Sequence, residues 1–274
     1  VSLRRVAFDA PWEWLGAGWR DLWSAPAISL CYGAAFAAAA YIFVLQLSRM
    51  EALPLLLPLA GGFLLIAPLL AAGFYEVSRR RERGEAASLR NIFQAAKEAR
   101  GRLALFGVAL LLLFFFWMQV ASLLFMLFFG NAGFPPIEQF VPTLLFTPHG
   151  LGLLVTGTAV GAVFAATAFA ISAIAVPMLL DRNVDVVTAM RTSVEAVRLN
   201  PPAMMLWAAL IAGLSAAGLV TLFAGLVIVF PLCGYATWRA YRELTGDAIS
   251  ASRYPLQGKA DLSAATATFV KGSC

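Results

Sequence analysis

AMMLWAALIAGLSAAGLVTLFAGLVIVFPLCGYATW, residues 203–238, is an apolar run without a single charged side chain. It reads either as one long bent helix or as two short helices turned near Gly218 to Gly225. The residues that follow decide between the two. As a single span, the run would send Arg239, Arg242, Arg253, Lys259 and Lys271 to the opposite side of a membrane from most other basic residues of the chain. As a hairpin it keeps them together, which is how Lys and Arg distribute around membrane helices. The hairpin predicts spans at 203–219 and 221–238, roughly 17 residues and about 25 Å each at 1.5 Å per residue.

Working outward, four more apolar segments run at 26–47, 53–75, 103–130 and 150–180, each of about the length needed to cross a bilayer. With the N-terminus cytoplasmic, the inside segments carry Arg4, Arg5 and Arg20, then Arg79, Arg80, Arg81, Arg83, Arg90, Lys97, Arg100 and Arg102, then Arg182, Arg191 and Arg198. Arg49 alone falls outside, so 19 of the 20 Lys and Arg residues share one side. The chain is 61% hydrophobic and only 13% charged, about half the charge fraction of a soluble domain. The net charge of +5 therefore reads as a topology signal at anionic lipid rather than a nucleic-acid footprint.

The expected architecture is all-α: a polytopic transmembrane helical bundle, six spans as three hairpins, each preceded by an interfacial amphipathic helix. Residues 1–245 form the transmembrane domain, and 246–274 form a cytoplasmic tail too poor in large apolar residues to fold alone. Both termini are expected in the cytoplasm. Charges at Arg4, Arg5, Asp9, Glu13, Arg20 and Asp21 suit no cleavable signal peptide, so the first span is expected to direct its own insertion. The Ala- and Arg-rich vocabulary suits a bacterial chain, which places the protein in the inner membrane.

A partial repeat supports three units. Pro26-Ala27-Ile28-Ser29-Leu30 before the first span matches Pro202-Ala203-Met204-Met205-Leu206 before the fifth, and Gly101-Arg102-Leu103-Ala104-Leu105 before the third matches more weakly. Each return helix carries a proline in a similar apolar setting: Pro68, Pro177 and Pro231. A proline releases a backbone carbonyl one turn earlier, so these are predicted kinks, with a cytoplasm-facing cavity between them as the alternative role.

The connecting segments are amphipathic. In the first, Phe8, Trp12, Leu15, Trp19, Leu22 and Trp23 share a face at 100° per residue, with Asp9 and Pro11 as start signals. In the second, Leu89, Ile92, Phe93 and Ala96 oppose Arg90, Lys97 and Glu98. In the third, Val186, Val187, Met190, Val194 and Val197 oppose Arg191, Glu195 and Arg198. Trp12, Trp19 and Trp23 with Arg79, Arg80 and Arg81 are the candidate contacts to lipid or a partner, because indole rings and guanidinium groups both suit the membrane surface. Outside, residues 137–146 are bounded by prolines and could form a short surface helix.

Chemistry is sparse. Every charged residue is assigned to a rim, whereas pumps and proton-coupled carriers place ionisable groups within the membrane. His149 is the sole histidine, too few for a three-ligand zinc site or paired haem ligands. Cys31, Cys233 and Cys274 form no CxxC or Cys/His spacing. No catalytic residue, cofactor or metal is expected. Glu76, three and four residues before Arg79 and Arg80, predicts ordinary helix-face ion pairs. Gly157, Gly161 and Ala165 form a small-residue stripe suited to close helix packing.

The stretch Gly61–Leu70, running into Gly73-Phe74-Tyr75-Glu76-Val77-Ser78-Arg79-Arg80, resembles a family of bacterial integral membrane proteins of unknown function. Pro11-Trp12-Glu13-Trp14, Gly18-Trp19-Arg20-Asp21, Val176-Pro177-Met178-Leu179-Leu180-Asp181-Arg182 and Ala236-Thr237-Trp238-Arg239-Ala240-Tyr241-Arg242 carry the resemblance over most of residues 10–245. Some members bear a cytochrome c oxidase label. One histidine cannot serve two haems and a copper, so the label implies at most an accessory or assembly role. The reading is therefore a non-enzymatic inner-membrane protein that contacts lipids and other membrane subunits, as an accessory or assembly subunit of a larger complex, which the label implies to be respiratory. The alternative is a small-molecule or lipid channel or transporter.

Overall fold

The computed structural model describes residues 2–50, 59, 67–85, 88–130 and 137–246. Among these residues every regular element is a helix. They are α1 (Ala10–Ser24), α2 (Pro26–Arg49), α3 (Ala72–Glu82), α4 (Leu89–Glu98), α5 (Arg100–Phe129), α6 (Ile137–Phe146), α7 (Pro148–Ser172), α8 (Ala175–Asp181), α9 (Val186–Leu199), α10 (Pro201–Val220) and α11 (Leu226–Leu244). Most of the expected second span (its residues 53–66) and the tail from 247 lie outside the described residues.

Three times a short amphipathic helix is followed, after one residue, by a long apolar one: α1 by α2 across Ala25, α4 by α5 across Ala99, and α9 by α10 across Asn200. Start signals are local. Pro11, Pro26, Pro148 and Pro201 stand in first turns, where a missing N–H costs nothing. Thr147 Oγ1 accepts from Gly150 N at 3.0 Å and opens α7. Asp185 accepts from Thr188 N at 2.9 Å and opens α9. Asp9, by contrast, sits before α1 without a side-chain cap.

Four segments are long and apolar enough to cross a membrane: Pro26–Arg49, Arg100–Phe129, Pro148–Asp181 and Pro201–Val220. The protein is thus a multi-pass membrane protein. The run 203–238 is divided as the charges demand, between α10 and α11, by a turn at 221–225. Leu222 and Phe223 take positive φ values of 51° and 69° there, a costly conformation for residues with a Cβ. The expected sixth span corresponds to α11, whose last turns carry Arg239, Arg242 and Glu243 and make it less apolar than the four.

Pro177 breaks the 34-residue segment Pro148–Asp181. The chain leaves helical geometry at Ile174 (φ −128°), close to the carbonyl that proline releases. The buried Ile174 N–H then donates to Ser193 Oγ on α9 at 3.3 Å.

The ends of distant helices meet at one pole. Arg102, opening α5, donates to the carbonyl of Arg182 just past α8 at 3.1 Å. Arg79 on α3 donates to Leu180 O at 3.3 Å. The N–H of Arg4 donates to Leu244 O at 2.9 Å. We call this the polar end. The core lies there, around α11: Tyr235, Ala236, Trp238, Ala240, Tyr241 and Leu244 have no exposed surface. Tyr32 and Phe36 of α2 and Phe74 of α3 stack or edge onto Phe230, and Trp14 of α1 meets Trp207 of α10 edge-on at 5.7 Å. Away from this end α5 and α7 remain in contact through Phe116, Trp117 and Phe164, but the long helices bury little of their surface. Only 22%, 17% and 22% of the apolar windows of α2, α5 and α10 are buried, against 56% for α7 with α8, so the first three turn most of their surface outward.

Close approach to α11 depends on two glycines. A Cβ on Gly18 would lie 2.9 Å from Ala236 N. One on Gly33 would overlap the carbonyl of Val227, the group that Pro231, four residues on, leaves without its helical donor. We expect Gly33→Val to force α2 off α11 and cost about 2 kcal/mol or more, as overpacking against backbone does. A lowered thermal midpoint in detergent checks this, with Gly157→Val as the control because a Cβ at Gly157 meets nothing within 4 Å.

The hydrogen bonds from Thr188 hold the Asp185 carboxyl below its ordinary pKa. A depressed carboxylate contributes stability at neutral pH that is lost as pH falls through the carboxylate range. The amide of Thr188 should therefore lose hydrogen-exchange protection on acidification in the wild type. In Asp185→Ala it should be unprotected throughout.

Candidate functional site

The polar end gathers buried charge from four helices. Asp21 arrives from α1, on the turn after Gly18, where α1 lies hard against α11. It is 3% exposed. Arg81 of α3 reaches its Oδ1 at 2.6 Å. Arg239 of α11 grips both oxygens, with Nη2 at 2.9 and 2.7 Å and Nε at 2.9 Å. Ser78 Oγ lies 3.4 Å from Oδ2. This fork-on-carboxylate arrangement is the strong form of an ion pair.

Arg239 extends the cluster to Glu82, 3.2 Å from its Nη1. The same carboxylate accepts from the indole of Trp238 at 3.0 Å and faces Arg242 at 3.2 Å. On the far side of α3, Glu76 is 1% exposed and is neutralised by Arg79 at 2.6 Å and Arg80 at 2.7 Å, the pairs its spacing predicts. Asp181 accepts from Tyr241 Oη at 2.9 Å, and that oxygen accepts in turn from Arg182 Nε at 3.0 Å. Burial first, and the charge of Asp181 second, push the Tyr241 hydroxyl well above its ordinary pKa, so it stays protonated and holds the two strands of the cluster together. At the rim, Trp14 Nε1 donates to Glu243 at 2.7 Å.

Chemically, this is a clamp. Its most buried carboxylates, Asp21 and Glu76, are engaged by guanidinium groups, which do not give up their protons in proteins, and the hydroxyls of Ser78 and Tyr241 complete the network on Asp21 and Asp181. Among the described residues no group of three or more His, Cys, Asp and Glu could hold a metal ion.

The residues singled out from sequence fall in different places. Trp12, Trp19 and Trp23 are 57%, 45% and 50% exposed, an outward aromatic stripe with Trp19 and Trp23 edge-on at 5.7 Å. Leu22, assigned to that face, is fully buried, and the inward face is Ala10, Trp14, Gly18 and Asp21 instead. Arg79, Arg80 and Arg81 are engaged by Glu76, Glu85 and Asp21, with Arg81 still exposed. On α9 the inward stripe is Val186, Ala189, Thr192, Ser193 and Ala196, while Val187 of the expected apolar face is exposed. Pro177 and Pro231 are buried among packed side chains, and Pro68 is half-buried. In the stripe of small residues, a Cβ added to Gly161 would lie 3.2 Å from the Trp117 ring, one added to Gly157 would meet nothing within 4 Å, and Ala165 is exposed.

Sequence reasoning missed Asp21, Arg239 and Trp14. The one available signal was Asp21 seven residues after Trp14, two turns on along the same helix face. Asp21→Ala would leave Arg81 and Arg239 facing a buried apolar gap. Breaking a buried pair costs about 3–5 kcal/mol, and partial solvation of these two guanidinium groups puts the expected loss nearer about 2 kcal/mol. The double variant Asp21→Leu with Arg239→Met should lose less than Asp21→Ala alone, because no charge is stranded at Arg239. Thermal unfolding of both in detergent checks the order.

No curated protein and no solved structure matches this chain. Residues 55–181 match the profile of one protein family. That stretch includes Gly61–Leu70, Glu76–Arg80 and Val176–Asp181, but not the Trp12 and Trp238 stretches, so the likeness is narrower than the resemblance over residues 10–245 implies. The family that residues 55–181 match is described as "Predicted integral membrane protein (DUF2189)", and its function is unknown.

Proposed function

We propose that the protein is a non-catalytic accessory or assembly subunit of a larger membrane complex. In this reading it spans the bacterial inner membrane six times, with the polar end and both termini in the cytoplasm. The observation that carries the reading is the fate of its buried charge. Asp21 and Glu76, the buried carboxylates at the polar end, are neutralised by arginines of this chain's own helices, which makes them cross-braces rather than reagents. The outward stripe of Trp12, Trp19 and Trp23 supports it as well. Large aromatic side chains left half exposed at the end of a bundle suit a lipid or subunit contact. The orientation follows from the basic residues gathered at the polar end.

Two measurements test this. A tagged copy solubilised from native membranes in mild detergent should bring down a constant set of membrane proteins, and Trp12→Ala with Trp19→Ala should weaken that recovery without altering expression. A strictly solitary protein would defeat the proposal. A reporter fused after Gly246 should report cytoplasm, and a periplasmic signal there would overturn the topology.

A further inference from the structure

We propose that the groove between the N-terminal segment and the junction of α9 with α10 binds the phosphate of an anionic phospholipid headgroup. The groove encloses about 400 Å³ and is lined by Arg5, Val6, Phe8, Arg198, Asn200 and Pro201 among others. Its walls are fixed. Asn200, 4% exposed, accepts from Val6 N at 2.9 Å and donates to Arg4 O at 3.0 Å and to Ala196 O at 3.2 Å. The extended segment before α1 is thereby pinned across the end of α9, so the groove does not depend on a free chain end.

Its charge distinguishes it from the clamp. Arg79, Arg80, Arg81, Arg239 and Arg242 are all engaged by carboxylates. Arg5 and Arg198 are exposed and form no ion pair among the described residues, and Glu195, three residues before Arg198, does not pair with it. Two guanidinium groups bordering one cavity suit the geometry of a phosphate, which each can grip with two donors.

The apolar half of the site selects a lipid over a soluble phosphate ester. Phe8 on the groove wall is 62% exposed, and Met205, one turn into α10, is 73% exposed. The cations thus lie at the level where an apolar helix begins, with uncovered apolar side chains beside them. A headgroup phosphate over an acyl chain has this layout. The inference rests on the polar end being one membrane surface, which the reporter after Gly246 tests separately from lipid retention.

The test is native mass spectrometry of the full-length protein in mild detergent. Phosphatidylglycerol, phosphatidylcholine and glycerol 3-phosphate would each be titrated in. We expect one phosphatidylglycerol retained per chain, and weaker retention of phosphatidylcholine. In R5Q/R198Q the affinity for phosphatidylglycerol should fall roughly 30-fold, at about the strength per basic residue known for anionic membranes. The single variants R5Q and R198Q should each fall part of the way, and R90Q should not change. Equal retention of the two lipids, undiminished binding in R5Q/R198Q, or glycerol 3-phosphate binding as tightly as the lipid would each overturn the proposal. Both arginines are exposed and unpaired, so their replacement should leave the thermal midpoint unchanged.

Discussion

A carboxylate with 3% of its surface exposed can remain ionised only if its cations come with it. Asp21 meets this condition with Arg81 and Arg239, which lie 60 and 218 residues away along the chain. Satisfying one charge therefore brings α1, α3 and α11 to a single point. The rest of the polar end follows from that meeting. Trp14, two turns earlier on α1, is carried against Trp207. Gly18 must lack a side chain for α1 to approach α11. Arg239, held on Asp21, turns its remaining nitrogen to Glu82 and links a second carboxylate. Attraction within the cluster offsets desolvation rather than greatly exceeding it. Its effect is on specificity, since any other arrangement of these helices would strand buried charge.

The concentration of packing at one end has a solvent reason. In hydrocarbon there is little hydrophobic gain from bringing two apolar helices together, because lipid tails serve as well as leucine. Leu112, Phe116 and Leu127 of α5 and Val220 of α10 can thus remain uncovered without cost. Where α2 does approach α11 closely, it does so at Gly33, over the carbonyl that Pro231 releases. At the polar end water returns as the competitor. Burial of Trp238, Tyr235, Tyr241 and Trp207 is then favourable by the ordinary hydrophobic term, and the amphipathic helices α1 and α9 close the core from that side.

What could be read from the chain separates along the same line. Features set by composition over about 20 residues were legible: the apolar helices at 26–49, 100–129, 148–181 and 201–220, the short helix at 137–146 outside them, and the division of 203–238, which basic residues beyond its end revealed. Pairs set by helix geometry were legible too, as with Glu76 and its two arginines. Facing was not. Hydrophobicity ranks the tryptophans of α1 alike, yet Trp14 is buried and Trp12 and Trp19 point outward. In a membrane protein the outward face is also apolar, so the usual rule that large apolar side chains point inward loses its contrast. On α9 it holds only in part: Val186 is inside and Met190 and Val197 pack against the core, but Val187 is exposed and Ala189, Ser193 and Ala196 are inside, because close approach favours small side chains. The Asp21–Arg239 pair was hidden for another reason. Nothing local links residues 218 apart, and both looked like members of a charged rim.

That rim is two populations. Read as sequence, 19 of the 20 basic residues form one class, whose expected gathering on one side would orient the protein in a membrane. In the folded chain Arg79, Arg80, Arg81, Arg239 and Arg242 are engaged by carboxylates, with most of their charge cancelled before it reaches a lipid. Arg5 and Arg198 form no ion pair among the described residues, and they border one groove with Val6, Phe8 and Asn200. The orientation signal acts during insertion, before the ion pairs exist, so every basic residue can contribute to it. Recognition acts after folding and is left to those the clamp does not use. Arg4, Arg20, Arg83, Arg90, Lys97, Arg100 and Arg191 are likewise exposed without an ion pair among the described residues, so it is the shared groove that sets Arg5 and Arg198 apart from the other basic residues.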